Sequence, residues 1–297
     1  MRPAERGFLL LIGSLGDPQR KPLTVSQFRV LASRVRNAAD PGEDRDLTQR
    51  DLLALGYGGD MAQRIVDLLS EEALLDHYLQ RGHKLGCRPL SRISEGYPKT
   101  LKEKLGLESP GCIWAKGDLS LLDRPCVSLV GSREIRQENK EFARQVGIEA
   151  ARQGYALVSG NARGADSVAQ RACLEAGGSV ICVVADELAS KPLLERVLFL
   201  SEDDFDQPFS AQRALSRNRC IHALGTVTLV AQAELRSGGS WDGSARNLRC
   251  GWSPLCCFND GSDAALELVQ MGALPVSAPE LSDFAALSRE NISFFDQ

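Results

Sequence analysis

Three short stretches of the chain set glycine, serine and arginine side by side directly after an apolar run: Gly131-Ser132-Arg133, Ser159-Gly160-Asn161-Ala162-Arg163-Gly164-Ala165-Asp166 and Arg236-Ser237-Gly238-Gly239-Ser240. Glycine lets the backbone approach a ligand closely, serine offers a hydroxyl, and a guanidinium can fork onto a phosphate. A helix beginning just after such a loop adds free amides and a partial positive charge. The chemistry these residues offer together is a phosphate-rich pocket. Any one loop alone reads as an ordinary turn, since glycine after a strand is common; the three together are the signal.

A fourth segment, Gln212 to Gly225, carries Arg213, Arg217, Asn218 and Arg219. On a helix Arg213 and Arg217 share a face, whereas Arg219 stands about 200° round from Arg217, so the three cannot serve one ligand. Ion pairs with Glu202, Asp203, Asp204 and Asp206 just upstream are the competing use for them.

The elements that must position these loops follow from the apolar pattern. Short runs at 127–130, 155–158, 180–184, 196–200, 227–230 and 255–258 alternate with helical stretches such as 139–153 and 165–176, which predicts a parallel sheet covered by helices. Open sheets of this kind bind ligands at the carboxyl ends of their strands, where all three loops fall. Residues 1–82 read instead as short helices: an opening helix to Ile12, then one capped by Thr24, then 48–55, 61–69 and 71–81, with a polar, exposed link at 40–45. Residues 83–125 read as a connector wrapping the next domain, and 126–297 as a Rossmann-like domain. The fold expected is therefore α/β, doubly wound and mainly parallel, behind a small all-helical domain of sterile-alpha-motif or helix-hairpin-helix kind.

Composition narrows the function further. Of the 297 residues 43% are hydrophobic and 25% charged, with no apolar run long enough to cross a bilayer and no cleavable leader. Nine cysteines without Cys-x-x-Cys pairs fit neither a disulfide framework nor a zinc ribbon, so a reducing cytoplasm is expected and no metal. The cluster Cys250, Cys256, Cys257 with His222 lacks ligand spacing. A net charge of −4 requires any nucleic-acid contact to come from a local basic patch. Neither a Gly-x-Gly-x-x-Gly with a downstream acid nor a Gly-x-x-x-x-Gly-Lys-Ser/Thr is present, which excludes dinucleotide and P-loop chemistry.

From Ser94 to about Val276 the motif order resembles the DprA/Smf family of DNA-processing proteins. Tyr97-Pro98-x-x-Leu101, Pro110 and Gly117-Asp118 lead into Val130-Gly-Ser-Arg133; then come Ser159-Gly160-x-Ala162-Arg163-Gly164-Ala165-Asp166, Arg217-Asn218-Arg219-x-Ile221 and Ser237-Gly238. The resemblance implies a protein that binds single-stranded DNA without a nucleotide cofactor or catalytic residue. It also implies a homodimer and a RecA-like recombinase as partner, in recombination and natural transformation. By resemblance Arg133 is the leading DNA contact. Gly131, Ser132, Ser159, Gly160, Arg163, Gly164, Ser237 and Gly238 form the pocket, and Arg217, Asn218 and Arg219 divide between contact and support.

Departures from the family pattern are Gln170 for a histidine, Gln232 for an acid and Gly239-Ser-Trp-Asp-Gly-Ser-Ala245 for Gly-Ser-Leu-x-Thr-Ala. A C-terminal winged helix is not expected. Two rival functions use the same loops: a sensor of a nucleotide-derived ligand, and a nucleotide phosphoribohydrolase, for which Asp242 would have to supply the missing carboxylate. Trp241, beside the last loop, is the nearest candidate for stacking on a base, with a place in the core as the competing reading.

Overall fold

A computed structural model describes residues 1–38 and 47–290. The expected link at 40–45 lies outside the described residues. The helical N-terminal part comprises α1 (Pro3–Ile12), α2 (Val25–Arg36), α3 (Gln49–Ala54), α4 (Gly59–Ser70) and α5 (Glu72–Lys84). Thr24 and Thr48 accept from the backbone amides of Gln27 and Asp51, each closing a capping box, so polar side chains mark both helix starts. Leu11, Leu31, Leu52, Ile65 and Leu68 form the small core between these helices.

The remaining strands are β1 (Cys87–Ser91), β2 (Cys112–Gly117), β3 (Cys126–Val130), β4 (Ala156–Ser159), β5 (Ser179–Val183), β6 (Val197–Ser201), β7 (Thr228–Val230), β8 (Leu255–Phe258) and β9 (Leu274–Val276). They form one sheet in the order β1-β2-β6-β5-β4-β3-β7-β8-β9. β1 and β2 run antiparallel to their neighbours and the rest are parallel.

Both faces of the sheet are covered, which is why its central strands are buried and mainly apolar rather than alternating with exposed polar residues. Alternate side chains go to opposite layers. Val127, Leu129, Leu157, Val180, Cys182 and Phe199 meet Phe142, Val146 and Ala150 of α7 (Gln137–Arg152) and Ala169 and Cys173 of α8 (Ala165–Glu175). Cys126, Val130, Val158, Ile181 and Leu198 face Leu101 of α6 (Lys99–Leu105) and Ile221 of α9 (Ala211–Leu224). On that side lie also Trp241 of α10 (Gly238–Cys250) and Leu268 of α11 (Asp263–Gln270).

The segment read as a connector carries α6 and two strands of the sheet. β1 is an edge strand containing Pro89 and the far edge β9 contains Pro275; proline breaks the strand pattern and is tolerated at an edge. In β2 the charged Lys116 interrupts the apolar run, yet it is buried, its ammonium donating to the Ala189 carbonyl at 2.7 Å.

The helical part packs onto the β1–β2 end of the sheet. Tyr78 of α5 stacks on Phe205 at 4.5 Å between ring centroids, and Trp114 of β2 meets Phe205 edge-on at 4.7 Å. Gly82 leaves the space these rings occupy, since a Cβ there would stand 3.0 Å from Trp114 and 3.1 Å from Phe205.

Candidate phosphate-binding site

The strand order reverses direction at β3: β4, β5 and β6 follow on one side, β7, β8 and β9 on the other. This is the switch point of a doubly wound sheet, where the loops leaving adjacent strands part and open a crevice. The loop after β3 and the loop after β7 flank it. The Ser132 amide donates to the Gln232 carbonyl at 3.0 Å, with the Ser132 hydroxyl 3.3 Å from the same oxygen. The Gln232 side chain accepts from the Arg136 amide at 2.9 Å and donates to the Glu134 carbonyl at 3.1 Å. Gln232, where the family pattern has an acid, thus ties both ends of the Arg133 loop.

The loops after β3 and β4 are in direct contact. Ala165 donates its amide to the Ser132 carbonyl at 3.2 Å. Gly164, at φ +81°, lies against the carbonyls of Ser132 and Arg133, so a Cβ there would overlap both oxygens. Gly131 likewise has no room for a Cβ, because the Ala165 methyl occupies that place. Close packing by itself requires glycine at both positions.

Asp166, in the first turn of α8, organises the β4 loop. Its Oδ2 accepts the amides of Gly160 at 3.0 Å and Ala162 at 3.1 Å. Burial pushes its carboxyl upward from the usual range, against the opposing pull of Arg217, the two amides and Arg133. The sequence carried a signal for this role, an acid in the first turn of a helix opening behind a glycine.

The named arginines separate into two groups. Arg217 of α9 is only 8% exposed, and its guanidinium covers Gly160 so closely that a Cβ there would overlap it. Its Nε and Nη1 are buried without a hydrogen-bond partner among the described residues. Burial lowers its pKa, with Asp166 the leading opposing charge, but a guanidinium stays protonated at neutral pH. Arg133 and Arg163 are exposed, and neither forms an ion pair among the described residues.

By contrast, Arg213 pairs with Asp203 and Arg219 with Glu202, each at 2.6 Å, and Arg236 pairs with Glu267 at 2.9 Å. The acid-pairing alternative therefore holds for Arg213 and Arg219, and Arg236 is drawn away from the pocket its loop was expected to serve.

The other site candidates are placed as follows. Ser159 is fully buried, and its hydroxyl accepts at 2.6 Å from Gln170, the residue that stands where the family pattern has histidine. Asn218 donates to the Gly239 carbonyl at 3.0 Å, holding the first turn of α10 beside Arg217. Ser237 and Gly238 are exposed at that helix start.

Of the two readings of Trp241 the core one holds: α10 turns it inward, 6% exposed, so it offers no face to a base. Asp242 lines a hollow of about 440 Å³ together with Arg236, Trp241, Arg249 and Met271. Cys256 and Cys257 are buried on β8 while Cys250 is exposed, and His222 is fully buried. Among the described residues no three His, Cys, Asp or Glu side chains gather as a metal would require, and no helix is long and apolar enough to cross a membrane.

A mainly parallel sheet whose strand order reverses at β3, with glycine-rich loops leaving β3 and β4 there, defines a Rossmann-like α/β protein. Residues 89–280 match the family model for DNA recombination-mediator protein A, and the chain belongs to that family. It is 31% identical to protein Smf of Escherichia coli K12 over 206 residues, 63% of this chain and 53% of that protein. The chain spans about half the length of curated relatives such as this one.

Among solved structures it resembles DNA processing protein A of Streptococcus pneumoniae (TM-score 0.59, 26% identity, 87% of this chain and 96% of the other). It also resembles a Helicobacter pylori DNA processing protein A solved for its single-stranded DNA binding mode (TM-score 0.52, 24% identity, 71% and 96%).

Proposed function

We propose that this protein binds single-stranded DNA in the crevice beside β3 and serves as a recombination mediator in the cytoplasm, without enzymatic turnover. The observation that carries the reading is the pair of exposed arginines on the β3 and β4 loops, Arg133 and Arg163, without an ion pair among the described residues, together with the buried and unsatisfied Arg217 against Gly160. The Helicobacter pylori relative, which binds single-stranded DNA, supports the choice of ligand.

Arg133 and Arg163 hold phosphates, and Gly131, Gly160 and Gly164 bring the backbone close to them. Arg217 supplies a buried positive charge beneath, and Ser237 and Gly238 offer the start of α10. Ser132, Ser159, Asn218 and Arg219 hold the loops. Residues 126–297, with the two strands of 83–125, form the binding domain; the helices of 1–82 are available for protein contacts. Pairing as a homodimer and loading a RecA-like recombinase belong to the same proposal.

Phosphate neutralisation releases counterions, so affinity falls steeply with salt. Fluorescence anisotropy with a labelled oligothymidine across a salt series tests the reading. Wild type is expected to bind with a clear salt slope and more tightly than to duplex, and folded Arg133→Ala to lose most of that affinity. No binding by wild type at low salt would overturn it.

A further inference from the structure

Phe209 is the aromatic side chain that stands at the crevice in water. It is 56% exposed, whereas Trp114, Phe205, Trp241 and Trp252 are each buried. An apolar ring left in solvent on a freely moving loop would carry little information, but this loop is pinned on every side. Arg213 bonds Asp203 at 2.6 Å and also donates to the Pro208 carbonyl, the residue before Phe209. Ser210, the residue after it, caps α9 by accepting the Arg213 amide at 3.5 Å. Upstream, Asp204 accepts the Ser14 amide at 3.2 Å and the Trp114 indole at 3.3 Å, and Asp206 accepts the Tyr78 hydroxyl at 2.8 Å. The ring is thus presented on a backbone with little freedom left to lose on binding.

Its neighbour gives the ring a ligand. The Arg133 guanidinium carbon stands 6.0 Å from the Phe209 ring centroid, at the outer limit of a cation–π contact. An arginine without an ion pair among the described residues and an exposed, anchored ring therefore stand side by side.

We propose that Phe209 is the base-stacking platform of this site: Arg133 takes a phosphate and a nucleobase of the same strand lies on the Phe209 ring. The inference rests on the single-stranded DNA reading above and adds to it the residue that recognises bases as opposed to backbone. A neutral ring stacks on any base, so the platform raises affinity without reading sequence.

The test compares oligothymidine with an abasic oligomer of equal length, at one salt concentration, for wild type, Phe209→Ala and Phe209→Trp. Wild type is expected to prefer oligothymidine. Phe209→Ala loses about tenfold for oligothymidine, the scale of one base–aromatic stack, and little for the abasic strand. Phe209→Trp keeps the preference, and its exposed indole is quenched by oligothymidine and not by the abasic strand. If wild type binds neither oligomer, the single-strand reading fails and the platform with it. If wild type prefers oligothymidine and Phe209→Ala retains that preference in full, or weakens both strands equally, the platform alone fails and Phe209 is left as a surface for another protein.

Discussion

The Arg217 guanidinium occupies the space where a Cβ of residue 160 would stand, so Gly160 and Arg217 exist in this arrangement only together. Gly160→Ala should displace the guanidinium, at a strain cost of about 1–3 kcal/mol, and weaken oligothymidine binding by at least roughly tenfold. Anisotropy titration of the folded variant checks this; undiminished binding would mean that Arg217 does not serve the ligand from that position.

Gln232 ties the Arg133 loop at two points, the Arg136 amide and the Glu134 carbonyl. Gln232→Ala removes both bonds from a half-exposed site, so the stability loss should stay near 1 kcal/mol while DNA affinity falls several-fold through the loosened loop. Urea unfolding and anisotropy on one preparation separate the two effects.

His222 is buried with neither ring nitrogen hydrogen-bonded among the described residues, and burial depresses its pKa to about 3. In the unfolded chain it titrates near the usual value of about 6.5, so between these limits the unfolded state takes up a proton that the folded state refuses. The stability associated with neutral His222 is full above about pH 6.5 and is lost as pH falls toward 3, at roughly 1 kcal/mol per unit. His222→Leu should be neutral or stabilising at pH 7 and should flatten that part of the profile. A urea midpoint that declines with acid as steeply in the variant as in wild type would contradict this.

Phe205 is fully buried between Tyr78 and Trp114. Phe205→Ala should cost about 3–5 kcal/mol, and because the ring joins the N-terminal helices to the sheet, helical and sheet signals should fall together in denaturant. Separate transitions would show that the helices fold apart from the sheet.

The six central strands were legible in the sequence because burial on both faces makes each a mainly apolar run bounded by turn residues, as in residues 197–200 of β6. β1, β2 and β9 were hidden because proline or a buried lysine broke the pattern, and only tertiary pairing restores it. At the site, loop composition singled out Arg133 and Arg163 as candidates, and helical spacing showed that Arg213, Arg217 and Arg219 could not all face one ligand, in keeping with the pairing of Arg219 with Glu202. Partner choice was less visible: that Arg236 would turn to Glu267, and that Phe209 in place of Trp241 would reach solvent, depend on which way α10 and the loop before α9 face.

Because Ser128 of β3 pairs with Thr228 of β7, the order of synthesis sets when the crevice can close. A chain growing from its N-terminus makes β3, β4, β5 and β6 first, and these can pair among themselves while the other edge of β3 stays bare. Arg133 and Arg163 are then already made, but Arg217 arrives later and the Gln232 carbonyl that holds Ser132 later still. Until β7 is laid down, the nascent protein exposes a strand edge open to pairing with another chain. The interval between translation of β6 and translation of β7 is therefore the one in which the edge beside the proposed binding crevice stands open.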